Sequence, residues 1–248
     1  MSDLELTYLE YGAYDEPFPP PEMAWDEPNG LIAIGGDLSP HRLINAYNAG
    51  IFPWFNEGEP IYWWNPDPRA VLFPEAINIA RSLRKSIRNK GYTVDFDRNF
   101  KKTIESCAQL RSHSEGTWIS PQMQEAYCRL HEMGVAHSVE VYNREDELVG
   151  GLYGISSGGV FSGESMFSTE RDTSKIAFVA LAWYAQQVGY SLIDCQIENP
   201  HLISLGAVNI SRKDYLNILK STPAAEADWT FDPTCDLSKW TPHTIERF

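Results

Sequence analysis

Over 248 positions the chain carries 34 acidic residues against 20 basic ones, a formal net charge of -14, which excludes a protein coated in positive charge for nucleic acid and confines any RNA or DNA contact to a local patch. The length suffices for a full core, as one large domain or as a small domain plus a medium one. The four cysteines, Cys107, Cys128, Cys195 and Cys235, are widely spaced with no CxxC pair, which argues against a zinc cluster or disulfide scaffold and fits a reducing compartment.

Met1-Ser2-Asp3-Leu4-Glu5 is acidic where a signal peptide is basic, and no later run reaches the roughly 18 apolar residues of a membrane span. A cytoplasmic protein with no membrane partner is expected. Phe18-Pro19-Pro20-Pro21 is extended, and Gly30 to Asp37 reads as a short apolar strand. Ser39 then caps a helix with Pro40 at its first position, with Leu43, Ile44 and Tyr47 at helical spacing and Gly50 beyond its end. Aromatics and prolines crowd the next stretch, from Ile51-Phe52-Pro53-Trp54-Phe55 to Trp63-Trp64-Asn65-Pro66-Asp67-Pro68-Arg69. Each tryptophan there can anchor a core or offer a stacking face to a flat ligand such as a nucleobase, and spacing does not choose between the two.

Near Pro74 the composition changes. From Ile77 to Lys90 the chain carries Arg81, Arg84, Lys85, Arg88 and Lys90 without an acidic residue, while Ile79, Leu83 and Ile87 recur every fourth position. A helix here would put cations on one face and aliphatics on the other. As the concentrated positive stripe of an acidic chain, it is expected to contact phosphate. A short strand and a helix follow over Tyr92 to Ala108. Trp118 then precedes a helix capped by Ser120, opened by Pro121 and closed at Gly134. His137 to Tyr142 and Leu148 to Ile155 alternate as a hairpin, and another strand starts at Val160.

The stretch from Phe161 to Gln196 carries the chemistry. Two strand-like runs, each ending near an acidic residue, flank a helix that starts at Thr173 or Ser174 and ends at Gly189, a βαβ-like order that sets the strands side by side. Glu164, Asp194 and Gln196 are then expected in one cleft, the last two on one face through their i, i+2 spacing. The plainer reading is that Asp194 caps or pairs within the core and Glu164 makes a structural ion pair. Cys195, pointing the other way, reads as a small buried hydrophobe. A short helix after Asn199-Pro200 and a last helix capped by Ser211 complete the order, and the tail from Ser221 is expected to pack loosely.

From about His137 this order looks like the N-acetyltransferase (GNAT-type) acyltransferase fold. An ordinary member opens its central helix with a glycine loop for coenzyme A, and Arg171-Asp172-Thr173-Ser174-Lys175-Ile176 contains no glycine. The motifs Gly30 to Leu38, Gly50-Ile51-Phe52-Pro53-Trp54, Trp63 to Arg69, Gly116-Thr117-Trp118-Ile119, Gly163-Glu164-Ser165-Met166-Phe167-Ser168 and Leu192-Ile193-Asp194-Cys195-Gln196 together resemble the bacterial leucyl/phenylalanyl-tRNA protein transferases. Six motifs in unbroken order are specific where each alone is weak.

The resemblance implies an α+β chain: a small N-terminal α/β domain over 1–70 with a Trp-rich edge, then an acyltransferase-like domain over 71–248 with a mixed sheet. It implies transfer of Leu or Phe, less readily Met, from aminoacyl-tRNA to proteins with N-terminal Arg or Lys, marking them for degradation, by a monomer needing no cofactor or metal. The terminal adenosine would lie between Trp54 and Trp118. The apolar amino acid would enter a pocket of Leu152, Phe161, Met166, Phe178 and Ile193. Glu164 would position the adenosine end, Asp194 and Gln196 would assist the reaction, and Arg81, Arg84, Lys85 and Arg88 would meet tRNA. A coenzyme A dependent N-acyltransferase is the alternative from fold alone, and a non-catalytic RNA-binding protein is a third reading.

Overall fold

A computed structural model describes residues 5–112, 118–225, 227–232 and 235–242. The N-terminal sheet runs in the order β1 (Thr7–Leu9), β2 (Leu31–Gly35), β4 (Tyr62–Trp64), β3 (Phe52–Pro53). Helix α1 (Pro40–Asn48) lies between β2 and β3. Its start follows from local chemistry: the Ser39 hydroxyl accepts from the Arg42 amide at 3.4 Å, and Pro40 occupies the first position. Gly50 follows with φ +74, and a Cβ there would sit 2.7 Å from the Leu216 side chain, so any other residue would strain the backbone and push Leu216 aside.

Among the described residues the second sheet has seven strands, in the order β11-β5-β10-β9-β8-β7-β6. They are β5 (Arg69–Leu72), β6 (Thr93–Phe96), β7 (Ala136–Tyr142), β8 (Leu148–Ser157), β9 (Val160–Ser168), β10 (Leu192–Gln196) and β11 (Val208–Ile210). Every pairing is antiparallel except β9 with β10, which the intervening helix α5 (Thr173–Val188) makes parallel. The side-by-side βαβ expectation holds. Residues Ile176 to Ala182 of α5 are all buried, so apolar side chains ring the helix. The other helices are α2 (Arg81–Asn89), α3 (Phe100–Ser112), α4 (Pro121–Glu132), α6 (Pro200–Ser204) and α7 (Arg212–Ser221). The chain is thus a mixed α+β protein with a sheet of its own at the N-terminal end. The two parts share a core: Phe100 and Ile104 of α3 and Met123 and Tyr127 of α4 cluster with Leu43, Ala46 and Tyr47 of α1. No helix among the described residues is long and apolar enough to cross a membrane.

Two expectations need correction. The basic stripe is shorter than its aliphatic period suggests: α2 starts at Arg81, and Ile77 and Ile79 bury themselves ahead of it, where the backbone is extended at Ile77 and again at Ala80. The described part of the tail is anchored in the core rather than loose. Trp229 is 7% exposed, stacks on His137 with ring centroids 4.0 Å apart, and neighbours Phe96, Phe161, Tyr184 and Tyr190. Its described Pro, Asp and Thr residues beyond Thr222 form no regular element, yet a buried aromatic such as Trp229 removes a large area from water without needing one.

Candidate active site

The parallel pairing of β9 with β10 stops at Asp194 opposite Ser162, while β9 runs on to Ser168. A cavity of about 640 Å³ opens beyond this point. Two β-bulges aim side chains into it. Opposite β8 the register jumps from Gly163 to Ser165, leaving Glu164 as the extra residue; opposite β5 it jumps from Asp194 to Gln196, leaving Cys195. Gln196 takes the left-handed backbone conformation, φ +62. Simple i, i+2 alternation therefore fails between Asp194 and Gln196.

Asp194 is fully buried and locked. Arg69 grips it with Nε to Oδ1 at 2.8 Å and Nη2 to Oδ2 at 2.6 Å, while Ser162 and Tyr215 hydroxyls donate to Oδ2 at 3.2 and 3.0 Å. The guanidinium lies 4.9 Å from the Phe52 ring centroid and 4.5 Å from that of Tyr215. Charge pairing, several hydrogen bonds and cation–π contact together offset the cost of removing both ions from water. Asp194 Oδ1 also accepts the Gln196 backbone N–H at 2.9 Å. The plainer expectation for Asp194, a core ion pair, is what the structure contains, and Asp194 touches the backbone of Gln196 rather than its amide.

Glu164 holds that amide: Gln196 Nε2 donates to Glu164 Oε1 at 2.7 Å. Tyr127 donates to the other oxygen at 3.1 Å, and its hydroxyl meets that of Tyr47 in a short contact. Glu164 makes no ion pair among the described residues. Burial pushes its carboxyl up to about 7, with the Asp194 charge adding, against the hydrogen bonds from Tyr47, Tyr127 and Gln196. A carboxylate acceptor fixes which end of the amide is nitrogen and leaves the amide oxygen of Gln196 for a substrate donor. Burial, aided by the Asp194 charge, pushes the Cys195 thiol far up, so it is no thiolate nucleophile.

Trp54 and Trp118 line the cavity, with Leu152, Met166 and Phe178 at its apolar parts. Trp54 is 45% exposed, whereas Trp63 is fully buried, which separates the stacking face from the core anchor. Phe161 and Ile193 belong to the core cluster that contains Leu152 and Phe178 but do not line the cavity, being fully buried and paired across β9 and β10. That corrects the expected pocket. Gly116 and Thr117 lie outside the described residues. On α2, Arg81, Lys85 and Arg88 are exposed, but Arg84 is half-buried and donates to the carbonyls of Ser238 and Trp240 at 3.2 and 2.7 Å. It holds the tail, which changes the meaning of its mutation.

Some functional contacts had little sequence signal. Arg69 stands at the head of an otherwise apolar strand, a visible oddity; Tyr47 and Tyr127 sit at ordinary core positions of α1 and α4, where nothing local marks their hydroxyls. Away from the cavity, Asp97, His131 and His137 gather within 4.8 Å. Ring nitrogens of His131 and His137 already meet the carbonyls of Ala136 and Gly134 at 2.9 and 3.1 Å, and Asp97 bonds His137 at 2.6 Å. Hydrogen bonding accounts for this group.

Residues 71–220 match the family model of leucyl/phenylalanyl-tRNA protein transferase, and residues 36–67 match that of its N-terminal domain. The chain belongs to this family. A leucyl/phenylalanyl-tRNA–protein transferase of Hahella chejuensis is 52% identical over 88% of this chain and 94% of its own, and one of Chromohalobacter salexigens is 56% identical over 88% and 86%. Among solved structures, the L-PGS from Bacillus licheniformis overlaps 60% of this chain and 48% of its own at 14% identity, with a TM-score of 0.39. Membership in the transferase family does not favour the coenzyme A alternative.

Proposed function

We propose that this protein transfers Leu or Phe, and less readily Met, from aminoacyl-tRNA to the N-terminal Arg or Lys of acceptor proteins, marking them for degradation, as a cytoplasmic monomer. The observation that carries the reading is one cavity combining an exposed tryptophan, an apolar end and an oriented glutamine amide, in a chain of this family. The acceptor's α-amine attacks the ester carbonyl, the ester C–O bond breaks, and the tRNA ribose oxygen leaves with a proton. An α-amine of ordinary pKa about 8 needs little activation, so most of the acceleration comes from holding amine and carbonyl in attack geometry. Gln196 accepts a hydrogen bond from the amine, Glu164 orients the amide, and Asp194 acts as a positioning residue through the Gln196 backbone. Trp54 and Trp118 would flank the terminal adenosine. Leu152, Met166 and Phe178 would hold the apolar amino acid and keep water from the ester.

We also read residues 1–70 as a small domain contributing the Trp-rich edge and 71–248 as an N-acetyltransferase-like catalytic domain. The order β7-β8-β9-α5-β10 supports this, as does the change of sheet between Trp64, the end of β4, and Arg69, the start of β5. Incubation with labelled Phe-tRNA and a peptide beginning with Arg should label the peptide; absence of transfer across a range of salt would reject the reading.

The exposed cations of α2 are the proposed tRNA contact. Arg81→Glu with Lys85→Glu should weaken Phe-tRNA binding and lower the slope of log affinity against log salt by about one for each phosphate no longer neutralised, with the folded state intact. An unchanged salt slope would remove α2 from the RNA surface. Arg84 is unsuitable for this test because its change also frees the tail.

A further inference from the structure

The cavity has to receive a second substrate whose distinguishing group is a basic side chain. No lysine or arginine lines it among the described residues, and its carboxylates are Glu164, Asp194 and Glu198. Two of these are already engaged. Both oxygens of Asp194 are taken by Arg69, which already supplies its counter-charge. Glu164 is 7% exposed and holds Tyr127 and Gln196. Glu198 differs from both: it is exposed at the cavity edge and accepts from the neutral amide of Asn209 through Oε2. It makes no ion pair among the described residues, and its Oε1 is left for a further donor.

Its place also fits in length. Glu198 follows Gln196 by two residues, at most about 7 Å of extended chain. Summing standard bond lengths puts an extended arginine's guanidinium roughly as far from its own α-amine. An amine held at the Gln196 amide oxygen would bring the basic head to Glu198. Between them Ile197, 47% exposed and lining the same cavity, offers apolar surface to the aliphatic stem, as long basic side chains prefer.

We infer that Glu198 reads the N-terminal arginine or lysine of the acceptor, making it a specificity-determining residue; the inference rests on the transfer reading above. The same uncompensated charge disfavours tRNA phosphates at this edge, which leaves the nucleic acid to approach from the side of Trp54 and Trp118.

The test compares the full-length protein with Glu198→Gln, which retains an oxygen for Asn209, and with Glu198→Lys. Acceptors are peptides beginning with arginine or with its uncharged isostere citrulline, and Phe-tRNA is the donor. In Glu198→Gln, KM for the arginine peptide should rise about tenfold, the scale of one charge-assisted hydrogen bond, with its kcat and KM for Phe-tRNA holding within about twofold. The citrulline peptide should be used equally by wild type and variant, and Glu198→Lys should raise KM for the arginine peptide further. An unchanged preference for arginine over citrulline in Glu198→Gln would overturn the assignment while leaving transfer intact. No transfer by the wild type to the arginine peptide would instead overturn the transfer reading and this inference with it.

Discussion

Asp194→Ala is expected to destabilise the protein by about 3–5 kcal/mol, a large share of the roughly 5–15 kcal/mol that keeps a typical domain folded. The reason is what remains. Arg69 is 1% exposed, and its guanidinium would stay between Phe52 and Tyr215 with no counter-charge, while the Ser162 and Tyr215 hydroxyls lose their acceptor. Asp194→Asn should behave similarly, since shape is kept but charge is not. Replacing both partners, as in Arg69→Met with Asp194→Leu, should recover much of the stability because no buried ion is left alone. Urea unfolding at neutral pH checks all three. A loss under about 1 kcal/mol in Asp194→Ala would show that Arg69 finds other compensation. The double variant should remain poor at transfer even when folded, because the Gln196 backbone N–H has lost its anchor.

The helix ends were legible because capping is local. Ser39-Pro40 with Gly50, and Ser120-Pro121 with Gly134, carry start and stop signals within a short span, and the structure puts helices α1 and α4 between them. The parallel β9 and β10 pair was legible too, since a helix-long crossover leaves few other solutions. What escaped depends on distant partners. Arg69 and Asp194 are 125 residues apart, and no local pattern announces that they meet.

The bulges at Glu164 and Cys195 are properties of register between strands, so period-2 alternation along one strand could not reveal them. Hence the motif puts Glu164, Asp194 and Gln196 in one cleft but does not say how they pair: the carboxylate on the Gln196 amide is Glu164, and Asp194 serves the backbone. Phe161 and Ile193 fail as lining residues for a related reason. Apolar residues on the site strands look alike in sequence whether they face the cavity or the core behind it. The tail shows the limit of composition, since Trp229 and Leu237 sit in the core amid residues typical of loops.

The protonation of Glu164 should set opposite trends in stability and transfer. Its folded carboxyl titrates at about 7 against an ordinary 4.5, mainly through burial. The stabilisation from a raised carboxyl is complete below about 4.5 and is lost as pH rises through about 7, because the unfolded chain then holds fewer protons than the folded one. Transfer should move the other way. Only the ionised carboxylate accepts from both Tyr127 and Gln196, pinning the amide with its oxygen toward the amine. The rate should therefore climb through about pH 7, and again near pH 8 as the acceptor amine deprotonates. Glu164→Gln should abolish the lower step, leave the upper one, and flatten the pH dependence of stability between about 4.5 and 7. Gln196→Ala should lower kcat about a hundredfold, the scale of a misplaced attack geometry, and leave the amine titration in place, while the pH at which stability is lost moves up because Glu164 loses a hydrogen bond that favours its charged form. Single-turnover rates from Phe-tRNA to an arginine peptide, with parallel urea melts from about pH 5 to 9, measure both trends. Persistence of the lower kinetic step in Glu164→Gln would assign it to another group, and the amide of Gln196 would then owe its orientation to the Asp194-anchored backbone alone.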